Sequence, residues 1–202
     1  MNKTVHRMKI VRMFAKLVIR GGGVMSGSEN QKYPMLLRAL HWLIALIIVG
    51  MVASGWVAEE FDDEVPRALV GIHKSFGALL IFLVVIRIVV RLSSRIPELP
   101  EKLDAWEKKL AHATHGILYL LMLAVPVGGY LMSNAYGYSV RLFSIPLPKV
   151  LERNKELGEF LREVHGVLPY VLLAIVIIHV AGALKHRFVD KDPEKDVLDR
   201  ML

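Results

Sequence analysis

Eight histidines and no cysteine occur in this chain of 202 residues. Without thiols there is no disulfide framework, no thiolate-held zinc, no iron–sulfur cluster and no C-x-x-C-H haem attachment. Metal chemistry therefore falls to histidine, carboxylate or methionine. Seven of the histidines, His41, His73, His112, His115, His165, His179 and His186, lie within or at the ends of long apolar segments; only His6 lies elsewhere. An ionisable side chain at membrane depth is costly and normally faces a bundle interior with a partner. Histidine is the least costly because it can stay neutral, yet its ring nitrogens still need partners. One such residue is most often a hydrogen-bonded packing residue. Several on different segments point to ligation.

His165 and His179 are fourteen residues apart. On a helix that spacing is about 21 Å along the axis with an angular offset of only about 40°. Both rings then point the same way at opposite membrane levels. His73 stands early in a segment that enters from the His165 side, and His41 early in one that enters from the His179 side. Two histidine pairs at two depths, carried by three helices, is the arrangement expected of two bis-histidine haems stacked across a membrane. Imidazole pairs in the core of a helical bundle suit low-spin b-type haem.

The elements that must position these rings follow from hydropathy. Apolar blocks at 37–57, 68–92, 110–132 and 162–186 are each long enough to cross a hydrocarbon core of roughly 30 Å, which takes about 20 helical residues. Hydrophobic residues make up 54% of the chain, concentrated in those blocks. The expected fold is an all-α membrane protein, a four-transmembrane-helix bundle holding two b-type haems. Of 26 Lys and Arg residues, 19 fall in the segments 1–40, 87–111 and 183–202, which places both termini in the cytoplasm by the positive-inside rule. That bias accounts for the net charge of +7 without any nucleic acid. Trp42 and Trp56 bracket the first span as interfacial aromatics do.

Three regions are expected: a basic extension at 1–34, the transmembrane cytochrome domain at 35–190 and a cytoplasmic tail at 191–202. In the extension, Lys9, Arg12, Lys16 and Arg20 share one helical face opposite Val11, Phe14 and Val18, as in an amphipathic helix lying on the inner leaflet. The competing expectation is that the protein begins at Met25, with the preceding stretch untranslated. Residues 93–109 form a proline-punctuated connector. Residues 133–161 form a long outer connection of the kind that serves as a lid or docking surface.

The remaining candidates carry two readings each. By depth, His112 or His115 can replace His41 opposite His179, but Lys108 and Lys109 beside them favour an interfacial position. His186, between Lys185 and Arg187, suits a quinone headgroup, a haem propionate or plain solvation. Arg87 and Arg91 either snorkel to lipid phosphate or pair with propionates of the inner haem. Lys74, directly after His73, can do the same on the outer side. Gly50, Gly55, Gly71, Gly77, Gly128, Gly129 and Gly166 suit a flat macrocycle or close helix packing equally well.

From about Leu36 to Arg187 the chain resembles the bacterial cytochrome b561 family of diheme membrane cytochromes. The resemblance rests on Arg38-Ala39-Leu40-His41-Trp42, on Ile72-His73 followed by Gly77, and on Arg87 with Arg91. It also includes His112-x-x-His115, Glu163-Val164-His165, and His179 with His186 beyond. It implies axial pairs His41 with His179 and His73 with His165, and removes His112 and His115 from the ligand set.

It further implies electron exchange with quinone, ubiquinone above all, in the bacterial inner membrane. The other reactant is then superoxide at the outer face or a membrane or periplasmic redox protein. An anchor subunit relaying electrons for a dehydrogenase or hydrogenase is the alternative. The acidic run at 59–64 opposes an anionic substrate, whereas Arg141, Lys149, Arg153 and Lys155 favour one. A haem-free metal-ion transporter would need carboxylates within the spans. The first three blocks contain none, and Glu163 stands at the outer end of the fourth.

Overall fold

The computed structural model describes residues 32–61 and 67–202, with side chains from 32–57 and 67–202. The basic amphipathic stretch, the start at Met25 and the acidic run at 59–64 fall outside the residues whose side chains are described. Four long helices account for the apolar blocks: α1 Met35–Phe61, α2 Arg67–Ser93, α3 Ala105–Ala135 and α4 Lys155–Leu184. All four are long and apolar enough to cross a membrane. Large side chains such as Leu46, Leu92 and Leu120 are 71%, 81% and 67% exposed, as lipid-facing positions of a bundle should be. Helix entries carry local signals. The Asp104 N–H donates to Glu107 Oε2 at 3.1 Å, and the Asn154 side chain accepts from the Leu157 N–H at 3.0 Å. α4 runs into a π-helical turn, Lys185–Val189.

Close packing joins α1 to α2, α2 to α3 and α3 to α4. α4 packs closely on neither α1 nor α2, although its histidines face both. Two aliphatic clusters fill the middle of the bundle. Ile44, Leu80 and Val84 form one, Leu118, Leu121 and Leu172 the other, and Ile48 and Met122 touch both. This plug lies between the two histidine levels and keeps the midplane apolar.

Two features add detail to the expected regions. The outer connection contains a hairpin, β1 Arg141–Leu142 paired antiparallel with β2 Ile145–Pro146, with Phe143 at φ 54° in its turn. The hairpin is seated on α2: the Ser75 hydroxyl donates to Arg141 O at 2.9 Å, and Phe76 meets Phe143 edge to face at 5.5 Å. The segment 191–202, expected as a cytoplasmic tail, folds back under the bundle. There Tyr33 N–H donates to Arg200 O and Trp42 Nε1–H to Met201 O, each at 2.9 Å.

Asn134, 1% exposed, organises the outer connection. Its amide donates to Tyr130 O at 3.0 Å and its carbonyl accepts from the Val150 N–H at 2.7 Å. Asn134→Ala leaves the Val150 N–H unpaired, at a cost of about 1–3 kcal/mol. The expected outcome is a lower melting temperature in detergent and faster proteolysis within 137–153.

Candidate functional site

The level on the hairpin side of the bundle, the outer one on the orientation expected from the basic residues, is built by α2 and α4. The rings of His73 and His165 face each other with centroids 6.3 Å apart and planes at 89°. Each ring has its Nδ1 engaged from outside the gap. His165 Nδ1–H donates to Val125 O at 3.0 Å. His73 Nδ1 lies 2.8 Å from Ser54 Oγ, whose own proton goes to Met51 O at 3.0 Å, so the hydroxyl accepts from His73. Both rings thus carry the proton on Nδ1 and keep Nε2 bare. That is the tautomer a metal ligand needs, fixed by its hydrogen bond on the far side.

The inner level gathers three rings. His41 and His179 are 6.1 Å apart between centroids, with planes at 68°. His115 stands 5.3 Å from His179. The interfacial expectation therefore splits. His112 is exposed and donates from Nδ1 to Lys108 O at 2.7 Å, whereas His115 is half-buried inside the histidine cluster. The signal for this was helical register, because His115 precedes Leu118 and Met122 by three and seven residues on the inward face.

Arg87 does not snorkel. It is 9% exposed; Nη1 donates to Leu37 O and Nη2 lies 3.4 Å from His41 Nδ1. Guanidinium can only donate, so in this geometry His41 Nδ1 accepts and the ring proton stands on Nε2, opposite to the outer rings. A metal on His41 Nε2 would need that 3.4 Å contact given up, leaving Arg87 as a fixed cation beside the ring where the outer rings face neutral partners.

The other candidates lie apart from the two gaps. His186, 9% exposed, donates from Nδ1 to Asp190 Oδ2 at 2.8 Å. Lys185 Nζ bridges the same carboxylate at 3.3 Å and Glu107 Oε1 at 2.6 Å. Glu107, His186 and Asp190 bring ligand atoms within 4.8 Å of one another, but the Lys185 ammonium already supplies the positive charge there. His186 and Lys185 hold the Asp190 carboxyl below the usual carboxylate range. Lys74 turns to the outer connection, 4.9 Å from the Tyr138 ring centre, and Arg91 is half-buried.

Two imidazoles bound to one metal would have ring centres up to about 6.2 Å apart, from bonds of about 2 Å and about 1.1 Å from each ligating nitrogen to its ring centre. The observed 6.1 and 6.3 Å come close to that span. Both pairs also bridge helices that do not pack closely, which leaves width for a macrocycle.

The sequence profile of prokaryotic cytochrome b561 matches residues 32–202. The chain belongs to the prokaryotic cytochrome b561 family. It is 34% identical over 175 residues to cytochrome b561 homolog 2 of Escherichia coli K12, covering 85% of this chain and 92% of that one. A probable superoxide oxidase of Yersinia pestis is 28% identical over 167 residues, 81% and 93% of the two chains. Cytochrome b562 of Cereibacter sphaeroides is 27% identical over 171 residues, 82% and 93%. Membership makes this a multi-pass membrane protein of haem-binding electron transport, with b-type haem as its cofactor. As a b561 cytochrome it has two histidine gaps that fit that group.

Gly129 of α3 separates the glycine readings at one position. A Cβ there would stand 2.8 Å from His165 Cε1 and 3.1 Å from Nδ1, so the ring reaches Val125 O only over a bare Cα. At Gly116 a Cβ meets nothing within 4 Å. Gly129→Ala is expected to push the His165 ring away and lower haem content per chain, with Gly116→Ala unchanged. Pyridine haemochrome assay against protein mass checks both.

Proposed function

We propose that the chain is a diheme b-type cytochrome of the bacterial inner membrane, with both termini cytoplasmic. In this reading it carries electrons from superoxide at its outer face to ubiquinone. The supporting observation is the two facing ring pairs, His73 with His165 and His41 with His179, at 6.3 and 6.1 Å. They stand on α4 at positions separated by about 21 Å of helix rise. When bound, haem supplies reversible one-electron chemistry at iron, and the protein tunes and places it.

The chain's own residues divide the remaining work. Val125 O and Ser54 Oγ hold the proton on Nδ1 of His165 and His73, which keeps Nε2 available and raises its basicity. Arg87 places a fixed positive charge against His41 and so favours arrival of an electron at the inner level. The aliphatic plug excludes water between levels. Lys74, Arg141, Lys149 and Arg153 on the outer connection and the adjoining end of α2 attract a small anion. The balance is two superoxide ions, each losing one electron to leave dioxygen, for one quinone that gains two electrons and two protons. His186, oriented through Nδ1 by Asp190, and the Lys185–Glu107 pair form the inner polar cluster suited to a quinone headgroup and its protons.

A second reading, an anchor subunit for a larger dehydrogenase or hydrogenase, draws on the hairpin. It leaves Phe143 and Ile145 55% and 62% exposed beside Arg141, as a docking knob would. Copurification with a redox partner, and no turnover by the isolated chain, would favour it.

A reduced-minus-oxidised spectrum with haem quantitation tests the diheme reading. Two haems per chain are expected, with one lost in His73→Ala or His165→Ala and that same one lost in the double variant. A colourless folded preparation from haem-replete cells would overturn it. For the substrate, charge reversal in Arg141→Glu with Lys149→Glu should lower kcat/KM for superoxide-driven ubiquinone reduction about tenfold at low salt, with a smaller loss at high salt. Equal rates at both ionic strengths would remove superoxide steering from the reading.

A further inference from the structure

The last residues of the chain make more of the inner level than their composition suggests. Asp192 and Glu194 pair with Lys102 at 3.1 and 3.2 Å, contacts that are exposed and individually weak. The contacts beyond them are of another kind. Arg200 is 9% exposed, and its Nη1 donates to Glu98 O at 2.6 Å, tying the chain end to the connector between α2 and α3. Its own carbonyl accepts from Tyr33 N–H, and the next carbonyl, of Met201, accepts from Trp42 Nε1–H, both at 2.9 Å. Two consecutive carbonyls of the turn Asp199–Met201 thus hold the entrance of α1 at points nine residues apart.

Between those points lie Leu37 and His41. Leu37 is 1% exposed, and its carbonyl accepts from Arg87. Trp42 follows His41 directly, with the two ring centroids 5.3 Å apart. The first two turns of α1 are therefore gripped from α2 by Arg87 and from the chain end by Arg200 and Met201. His73 and His165 take their own polar partners from α1 and α3, and the hairpin reaches α2 only beyond His73, at Ser75 and Phe76. Among the described residues, the hydrogen bonds that leave the C-terminal turn reach the entrance of α1 and the connector, not the helix entrance of either ring.

We propose that the C-terminal turn is the positioning element of the inner centre, with Arg200 and Trp42 as its positioning residues. It sets the height and rotation of α1's entrance, and through them the His41 ring against His179. The proposal rests on reading that pair as the inner haem ligands. A chain end that touches no cofactor then tunes one haem and leaves the other alone.

The test uses the full-length chain carrying Arg200→Ala, Arg200→Lys or Trp42→Phe, each also placed in His73→Ala and His41→Ala backgrounds. The first background retains the inner haem and the second the outer one. Hydrogen exchange of amides 33–44 is expected to quicken about tenfold in Arg200→Ala, the loss of roughly one hydrogen bond to a charged donor. The midpoint potential and low-spin spectrum of the inner haem shift, those of the outer haem hold, and Arg200→Lys restores both readouts. Trp42→Phe gives a smaller shift of the same kind without touching Arg200. Unchanged exchange at 33–44 overturns the clasp. Faster exchange with the inner haem unmoved, or with both haems moved alike, overturns its positioning role. If the two histidine backgrounds fail to remove one haem each, the ligand assignment falls by itself, and exchange at 33–44 still decides the clasp.

Discussion

An imidazole at membrane depth keeps its place only while its ring nitrogens are occupied, and that requirement shapes the bundle around it. At the outer level, Val125 O and Ser54 Oγ occupy one nitrogen of each ring, leaving the facing nitrogens to share whatever fills a 6.3 Å centroid separation. The helices that carry the rings cannot close on one another without crushing that separation. α4 accordingly packs on α3 and stands off α1 and α2. Aliphatic contact is confined to the midplane plug, where Ile48 and Met122 join both clusters. Packing in this bundle is thus subordinate to ring spacing, and Gly129 shows the cost, a position where one methyl group would collide with the His165 ring.

Helix breakers acquire a positive use under the same constraint. Pro126 has no N–H to offer the Met122 carbonyl of α3, and Gly128 and Gly129 follow within the next turn, the latter leaving the side of Val125 O open to His165. In lipid such a break is tolerable when side chains re-satisfy the backbone. Here His165 donates to Val125 O, next to the proline, through the space that Gly129 leaves bare, so the seat of a ring on α4 lies in the Pro- and Gly-containing turn of α3.

The spans and the two-level histidine pattern were legible because both rest on periodicity: apolar runs of bilayer length, and a fourteen-residue interval that returns to the same helical face. His115 was equally readable from its register with Leu118, yet its basic neighbours Lys108 and Lys109 drew it toward the interface in a reading by composition. For Arg87 the sequence left two readings, reaching for lipid phosphate as long cations near span ends usually do or pairing with a propionate. Its inward turn depends on the Leu37 carbonyl, and a backbone acceptor leaves no mark on sequence. The clasp made by Arg200 and Met201 was hidden for the same reason, as was the hairpin, whose strands are two residues each. Contacts made by side-chain pattern are written in sequence; contacts made to carbonyls are not.

Charge at the two levels differs in a way that joins topology to chemistry. The outer rings have neutral hydroxyl and carbonyl partners, and Lys74 beside them is drawn away over Tyr138. The inner rings share their space with the buried Arg87, whose field is poorly screened in an apolar surround. On the proposed ligand assignment, an electron gains electrostatic stabilisation by moving from the outer pair to the inner one. Basic residues near the inner ends of the spans are the same ones that orient a chain with its positive segments inside. On the proposed orientation and ligand assignment, insertion with the positive segments inside and a bias for inward electron flow have one physical source, and moving those charges to reverse the first would also weaken the second.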